Sequence, residues 1–421
     1  MAKIIPFKAI RPTRDKAYLV SSMPAYIYKK HLLEAKLESN PYTFLHVINP
    51  EFRADNKTQP NSVERFEKVK ERFDEFNDAG IFMQDEKESF YIYRQITPTN
   101  TYVGLISGIS VDDYLNGNIK IHEHTLTQRE ETFKLYLDVC QFNAEPVLLT
   151  YKDNPAVDAV INKYLTTRSE YEFCTTHHIK QDLWLVNDIK DINTLVEAFK
   201  NIDKIYIADG HHRSASSVLY AQSKRSENPN YNPDAPFNFF LSYLIPESKL
   251  NIIEYNRMVS SLNEHTPESF LVEVAKIFEV EEKTTDYAPT KRHNFSMYLA
   301  GKWYSLTAKK GTYDENDIVG NLDARILTTN LLTPILGITD LKTDNRIEFM
   351  EGTKGAEGLR EKVDSEEAIV AFGLFPVAIE QLKAVADANN IMPPKSTWIE
   401  PKMRSGLTIY SLGDSSSQPS Q

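Results

Sequence analysis

The sequence predicts a mixed α+β fold, and three features carry that expectation. Apolar residues recur at helical spacing in some stretches and alternate or run on continuously in others, so helices and strands interleave along the whole chain. Of the 421 residues, 41% are hydrophobic and 25% charged, which supplies a substantial core and excludes disorder for most of the chain. At about 100–200 residues per domain, the length implies two or three domains. The expected division is an N-terminal α+β segment over 1–101, a core over 102–245, a C-terminal α+β domain over 246–412 and a disordered tail over 413–421.

Each element follows from local pattern. Glu64, Phe66, Val69, Phe73 and Phe76 have the spacing of one helical stripe, and 90–95 alternates like a strand. Between 102 and 120, two apolar runs are separated by Asp112 and Asp113; then Asn116, Gly117 and Asn118 supply turn residues that tolerate positive φ, and a strand re-emerges near Ile119. Helical pattern at 130–140, a strand at 146–151 and a helix at 153–165 come next. Strands at 171–176 and 183–187 and a helix at 192–201 lead to Ile205-Tyr206-Ile207-Ala208, a buried strand stopped by Asp209-Gly210. The helix opening at His211 carries Ser214, Ala215, Ser216 and Ser217, small enough for close packing, and it fades at 226–229. Beyond it lie strands near Phe239 and Ile252, a helix at 267–278 and a hairpin at 297–306. The last third gives a helix at 322–336, strands near Ile347 and at 368–374, and a helix at 376–388 with Pro in its first turn.

Charge narrows the partners. Lys plus Arg number 48 and Asp plus Glu 59, a net −11 that repels nucleic-acid phosphate and anionic lipid, while a local basic pocket can still take a small anion. The expectation is a small-molecule partner, with no nucleic acid and no membrane. Apolar runs such as 239–245 fall far short of the roughly 20 residues a membrane helix requires. Two cysteines, Cys140 and Cys174, build no disulfide framework, and no leader pattern opens the sequence; the expected compartment is the cytoplasm.

Three constellations could carry chemistry. Six of the ten histidines stand in close pairs, and the best placed pair lies in Asp209-Gly210-His211-His212-Arg213, where a buried strand hands over to a helix. Helix-start N–H groups lack intrahelical partners and the helix dipole adds positive charge, so an anion is favoured there. Gly210 permits the tight turn, Arg213 offers a two-pronged donor for phosphate, and each imidazole can donate to oxygen. The plainer reading is that Asp209 caps the helix and the histidines pack.

In Lys120-Ile121-His122-Glu123-His124, an extended backbone would put Lys120, His122 and His124 on one face and turn Glu123, with Ile121, towards the interior as a candidate general base. A solvated surface charge is the alternative. Pro394-Lys395-Ser396-Thr397 follows Pro393 in a stiff loop with one ammonium and two hydroxyls, a set that suits an anion or simply a connection. Arg257 and Arg346 are spare donors. The phosphate loop GxxxxGK[ST], the dinucleotide fingerprint GxGxxG, HExxH and CxxC are all missing. His177, His178 and Asp182 have a spacing that a metal site could use, although adjacent strand histidines point to opposite faces. Nothing near Cys140 or Cys174 marks either as a nucleophile.

Taken in order, Lys-x-His-Glu, strand-Asp-Gly-His-His-Arg-helix and Pro-Lys-Ser-Thr, with Asn40-Pro41-Tyr42-Thr43-Phe44-Leu45-His46-Val47 near the start, resemble the bacterial family catalogued as domain of unknown function 1015. The likeness spans about residues 5–412, and its middle resembles the nucleotide-dependent free serine kinases of the ParB/sulfiredoxin-like fold. That resemblance implies a ParB/sulfiredoxin-like phosphate-binding core over 102–245, elaborated by the flanking segments. It implies Glu123 as the base, Asp209 as a catalytic and magnesium-holding group, and Gly210, His211, His212 and Arg213 as the phosphate set. Lys120, His122, Lys395, Ser396 and Thr397 would bind substrate or nucleotide. Ile121 stands where the kinases carry Pro, and Met23-Pro24-Ala25-Tyr26 differs from the family's Pro-Tyr-Asp stretch. The implied activity is phosphoryl transfer between serine or O-phosphoserine and ATP or ADP, with Mg2+. A metal-dependent phosphoserine hydrolase and a non-catalytic, nucleotide-binding regulator are the alternatives.

Overall fold

The computed structural model describes residues 2–413, so the expected disordered tail lies, apart from Gly413, outside the described residues. The fold is mixed α/β, with thirteen α-helices and twenty strands among those residues. The chain forms two compact units. One comprises 2–120, 124–250 and 401–413, the other 121–123 and 251–400.

A nine-stranded sheet organises the first unit, in the order Ile119–Lys120, Ile205–Asp209, Val147–Tyr151, Phe239–Pro246, Thr101–Ser110, Phe90–Ile96, Lys180–Val186, Tyr171–Cys174, with Ile4–Ile5 also paired to Thr101–Ser110. The central strands Val147–Tyr151 and Phe239–Pro246 are buried along their whole length, which is why they read as continuous apolar runs and not as alternation. Leu149, Ile207, Phe240 and Leu244 share a core with helices Pro155–Leu165 and Ile189–Lys200. Both helices start under side-chain caps, Asn154 and Asp188, each accepting from two N–H groups of its first turn.

The N-terminal segment is woven into that sheet. Residue 101 opens a strand whose neighbours include Phe90–Ile96 and Ile4–Ile5, so the division expected at 101/102 cuts through a continuous ladder of backbone hydrogen bonds. Helix Val63–Asp78 is capped by Ser62 and buries Phe66, Val69, Phe73 and Phe76, while Glu64 stays exposed in the first turn. These rings meet Phe82, Cys140 and Phe142, with Phe73 and Phe142 stacked at 4.2 Å. Each ring buried this way contributes about 1.5–3 kcal/mol. Cys140 is sealed in this cluster, and burial pushes its thiol up to about 12, which removes thiolate reactivity at neutral pH.

The second unit is built on a seven-stranded antiparallel sheet: Phe278–Lys283, Lys302–Ala308, Asn294–Leu299, Val370–Gly373, Asn251–Val259, Ile347–Glu351, with Thr397–Glu400 also on Asn251–Val259. Helix Pro267–Ile277 carries Phe270 and Val274 into its core. Several local expectations shift here. The helix expected to reach 278 gives way there to strand Phe278–Lys283, whose β-branched and charged residues pair with Lys302–Ala308. The helix expected from 376 starts at Ile379, so Pro376 precedes it instead of occupying its first turn. The stretch 322–336 is helical only in part, Asp323–Leu327 widening into a π-turn over Thr328–Leu332.

Candidate functional site

The strand Ile205–Asp209 runs parallel to Ile119–Lys120 and antiparallel to Val147–Tyr151. Antiparallel pairing lays the end of the first beside the start of the last, so Glu145 and Pro146 sit next to Asp209. The register slips between Ile207 and Asp209, an irregularity of the kind that re-aims a side chain at a strand end.

Gly210 then turns the chain at φ +104° and serves as the residue before helix His211–Glu227. That conformation is open to glycine and disfavoured for other residues. Lacking a side chain, Gly210 puts no cap on the first turn, and no acidic residue lies there, in contrast to the capped helices of the same unit. The Arg213 guanidinium folds back over the glycine: a Cβ at 210 would stand 3.1 Å from Nη2 and 3.2 Å from Cζ and Nε. Arg213 Nη1 donates to the Pro146 carbonyl at 2.6 Å and Nη2 to Asp209 at 3.0 Å, while Glu145 lies 4.0 Å away. Two of its five N–H donors are thus engaged by the protein. Lys402 approaches the other Asp209 oxygen at 3.5 Å, and Ser405 Oγ donates to Glu145 at 2.8 Å.

Below the junction, Ser214, Ala215, Ser216 and Ser217 are buried as their small size predicts, and the three hydroxyls donate to backbone carbonyls at 210, 211 and 213. Their helix packs on Thr127–Cys140. His211 is buried and His212 half-buried. A cavity of about 370 Å3 opens at Arg213, Glu145, Ser216 and Ser217 and runs between the apolar walls of Phe44, Phe66 and Tyr136. The first unit therefore brings together Asp209, Gly210, His211, His212 and Arg213, and adds Glu145, Lys402 and Ser405. Sequence reading missed those three because they come from distant stretches of chain.

The other expected residues are distributed differently. Lys120 ends its strand half-buried in the first unit. In the second unit, His122 is buried and its carbonyl accepts from Met392 N at 2.9 Å, while Ile121 and Glu123 are exposed. The expectation that Glu123 faces the interior beside Ile121 is overturned: the strand stops at Lys120, so the two-residue alternation behind it no longer applies. His124 is exposed as well. Lys395 is exposed with φ +56°, its Nζ 5.3 Å above the Tyr255 ring. The Ser396 hydroxyl donates to the Pro393 carbonyl at 2.6 Å, and Thr397 opens a strand paired with Glu254. The stiff loop is thus the entry to an edge strand.

Magnesium was expected at Asp209. A metal of that kind takes carboxylate and other oxygen ligands, but both Asp209 oxygens face cations, Arg213 and Lys402. Among the described residues no group of three or more His, Cys, Asp or Glu side chains is placed to hold a metal. At the second site that spacing suggested, Asp182 is paired with Arg94 at 2.8 Å and approached by Lys180 at 3.7 Å. The donor sets do not fit a metal centre.

Residues 4–325 match the family described as protein of unknown function DUF1015, about three quarters of the chain. The chain belongs to the DUF1015 family. No curated protein matches it. Among solved structures, this DUF1015 chain is similar to SbnI with a C-terminal truncation from Staphylococcus aureus, at 12% identity and TM-score 0.37, covering 73% of this chain and 87% of that one. It is similar also to a free serine kinase in complex with AMP, at 13% identity and TM-score 0.35, covering 72% and 91%. A conserved hypothetical protein from Pyrococcus furiosus gives 14% identity and TM-score 0.33, covering 74% and 98%. Among the described residues no helix is long and apolar enough to cross a membrane.

Proposed function

We propose that this protein is a cytoplasmic phosphotransferase that moves a phosphoryl group between O-phosphoserine and a nucleoside diphosphate, or from the triphosphate to serine, on a ParB/sulfiredoxin-like core. The observation that carries the reading is the turn at Gly210, which lays a guanidinium over an uncapped helix start. Such a junction holds phosphate oxygens by helix-start N–H groups and charge-assisted donors at once.

In the kinase direction the serine hydroxyl oxygen bonds to the terminal phosphorus, the bond to the bridging oxygen breaks, and the diphosphate leaves. The hydroxyl proton goes to a carboxylate base, the role that the family resemblance gives to Glu123. In reverse, a diphosphate oxygen attacks phosphoserine and Glu123 returns the proton to the departing serine oxygen. Arg213, positioned by Asp209 and Pro146, neutralises charge on the transferring group, and His211 and His212 donate to its oxygens. Gly210 leaves the room that the Arg213 guanidinium occupies. Lys120, His122, Lys395, Ser396 and Thr397 are assigned to the remainder of serine or nucleotide. No step runs through magnesium, since Asp209 is committed to two cations.

Turnover of Glu123→Gln and Arg213→Gln tests this. With phosphoserine and ADP, the wild type is expected to form ATP. Glu123→Gln should lose at least about 100-fold in kcat, the scale of general acid–base catalysis, with ADP affinity retained. Full activity in Glu123→Gln would remove the base from the mechanism, and release of phosphate without ADP would replace transfer by hydrolysis.

A further inference from the structure

A second cavity, of about 330 Å3, lies in the first unit apart from the residues assigned to phosphoryl transfer. Its volume is at the lower end of the roughly 300–1,000 Å3 of small-molecule sites. It is built by the Asn40-Pro41-Tyr42-Thr43 stretch, which phosphoryl transfer leaves without a role. Asn40 Nδ2 donates to the Leu19 carbonyl at 2.7 Å and its Oδ1 accepts from Tyr42 N at 3.0 Å, fixing the turn against Leu19. Phe44 N donates to the Val20 carbonyl at 2.9 Å. Successive residues then diverge, Thr43 and Leu45 lining this cavity and Phe44 the one at Arg213. The stretch is the partition between them.

The lining chemistry is one-sided. In a chain of net charge −11, no Asp or Glu among the described residues lines this cavity, whereas Lys36 and Arg404 do. Arg404 donates from Nε to Ser21 Oγ and from Nη2 to the Ser21 carbonyl, each at 2.5 Å, and pairs with no carboxylate among the described residues. Burial disfavours its charge. Ser22 borders the cavity and is 3% exposed, its backbone is bonded to Ser405, and its sealed hydroxyl has no partner among the described residues. A desolvated guanidinium without a counter-charge and an unsatisfied buried hydroxyl both gain from a nearby oxyanion. Tyr18, Tyr28 and Tyr42 supply the aromatic part of the wall, with Lys36 Nζ 5.3 Å above the Tyr28 ring, and Thr175, Thr176 and His177 line it as well.

We propose that this cavity binds a small oxyanion carried on a planar ring, a carboxylate or a phosphate monoester, with Arg404 and Ser22 holding the oxyanion and the three tyrosines packing on the ring. It is a second ligand site, independent of phosphoryl transfer.

Calorimetric titration of the full chain with benzoate, phenylphosphonate and neutral benzamide tests it. At least one anion is expected to bind saturably, which of the two naming the source, and benzamide should not. Arg404→Gln should weaken the anion by roughly tenfold or more, the scale of a charge-assisted hydrogen-bond pair. Ser22→Ala, a small change that leaves the fold intact, should weaken it about threefold, less than a whole neutral hydrogen bond supplies. Failure of both anions below about 10 mM, weaker than any useful small-molecule affinity, would overturn the proposal. So would equal binding of benzamide, or loss of binding in Arg213→Gln with Arg404→Gln unaffected, which would move the anion to the helix start.

Discussion

Replacing Gly210 by Ala tests the geometry on which the phosphate site depends. The backbone there has φ +104°, where an L side chain costs about 1–2 kcal/mol. The added Cβ would also stand 3.1 Å from Arg213 Nη2, tighter than ordinary contact, and the guanidinium is the flexible party that must yield. Its displacement strains the bonds to Pro146 at 2.6 Å and Asp209 at 3.0 Å. Together the two effects should destabilise the junction by about 1–3 kcal/mol, the range for local backbone strain. Hydrogen exchange of peptides covering 205–227 reads this directly. At 1.4 kcal/mol per factor of ten, exchange should quicken roughly 5- to 150-fold. In an Arg213→Ala background the steric part disappears and only the backbone cost remains, so the same substitution should cost about 0.5–1 kcal/mol less. Exchange unchanged within about twofold in Gly210→Ala would refute the reasoning, because neither strain nor contact would then be present.

Three further outcomes follow from buried charge. Asp323 is 6% exposed, one carboxylate oxygen has no partner among the described residues, and burial pushes it up to about 7 from the usual 3.8. The folded state holds this proton more tightly, so the second unit loses stability as pH rises from about 4 through 7; Asp323→Asn should raise its melting midpoint at pH 8 and change little at pH 4. Glu51 behaves in the opposite sense: Lys68 first, then Thr58 and Arg65, hold its carboxyl at about 2 against an ordinary 4.5. Its contribution is complete above 4.5 and lost as pH falls towards 2, so Glu51→Gln should flatten that part of an acid-unfolding curve. Arg257 is fully buried with Nε and Nη2 unpartnered among the described residues, burial lowering it to about 9. Arg257→Met should leave the second unit as stable as before or stabilise it by about 1–3 kcal/mol in urea unfolding, since an apolar side chain avoids burying an unpaired charge; a loss above about 2 kcal/mol would contradict this.

What could be read in the sequence was local. The Ile205–Asp209 strand, the glycine turn and the small-residue helix that follows depend on adjacent residues, and each stands where its pattern put it. Glu145, Lys402 and Ser405 complete that junction from far along the chain, and no spacing rule reaches them. Glu123 departs from its expected orientation because alternation holds only inside a strand, and the strand ends at Lys120. Strand Thr397–Glu400 hid behind Pro393 and Pro394; its pairing with Asn251–Val259 is a tertiary choice that the two prolines obscure. Phe278–Lys283 likewise owes its extended form to the partner strand Lys302–Ala308.

Phosphorus NMR of the protein mixed with O-phosphoserine and ADP, repeated with Arg213→Gln, tests phosphoryl transfer most directly. The account predicts loss of the phosphoserine resonance with matching growth of the three ATP resonances, and little or none of either in the variant. Inorganic phosphate appearing alone, or ATP forming equally well without the Arg213 guanidinium, would contradict it.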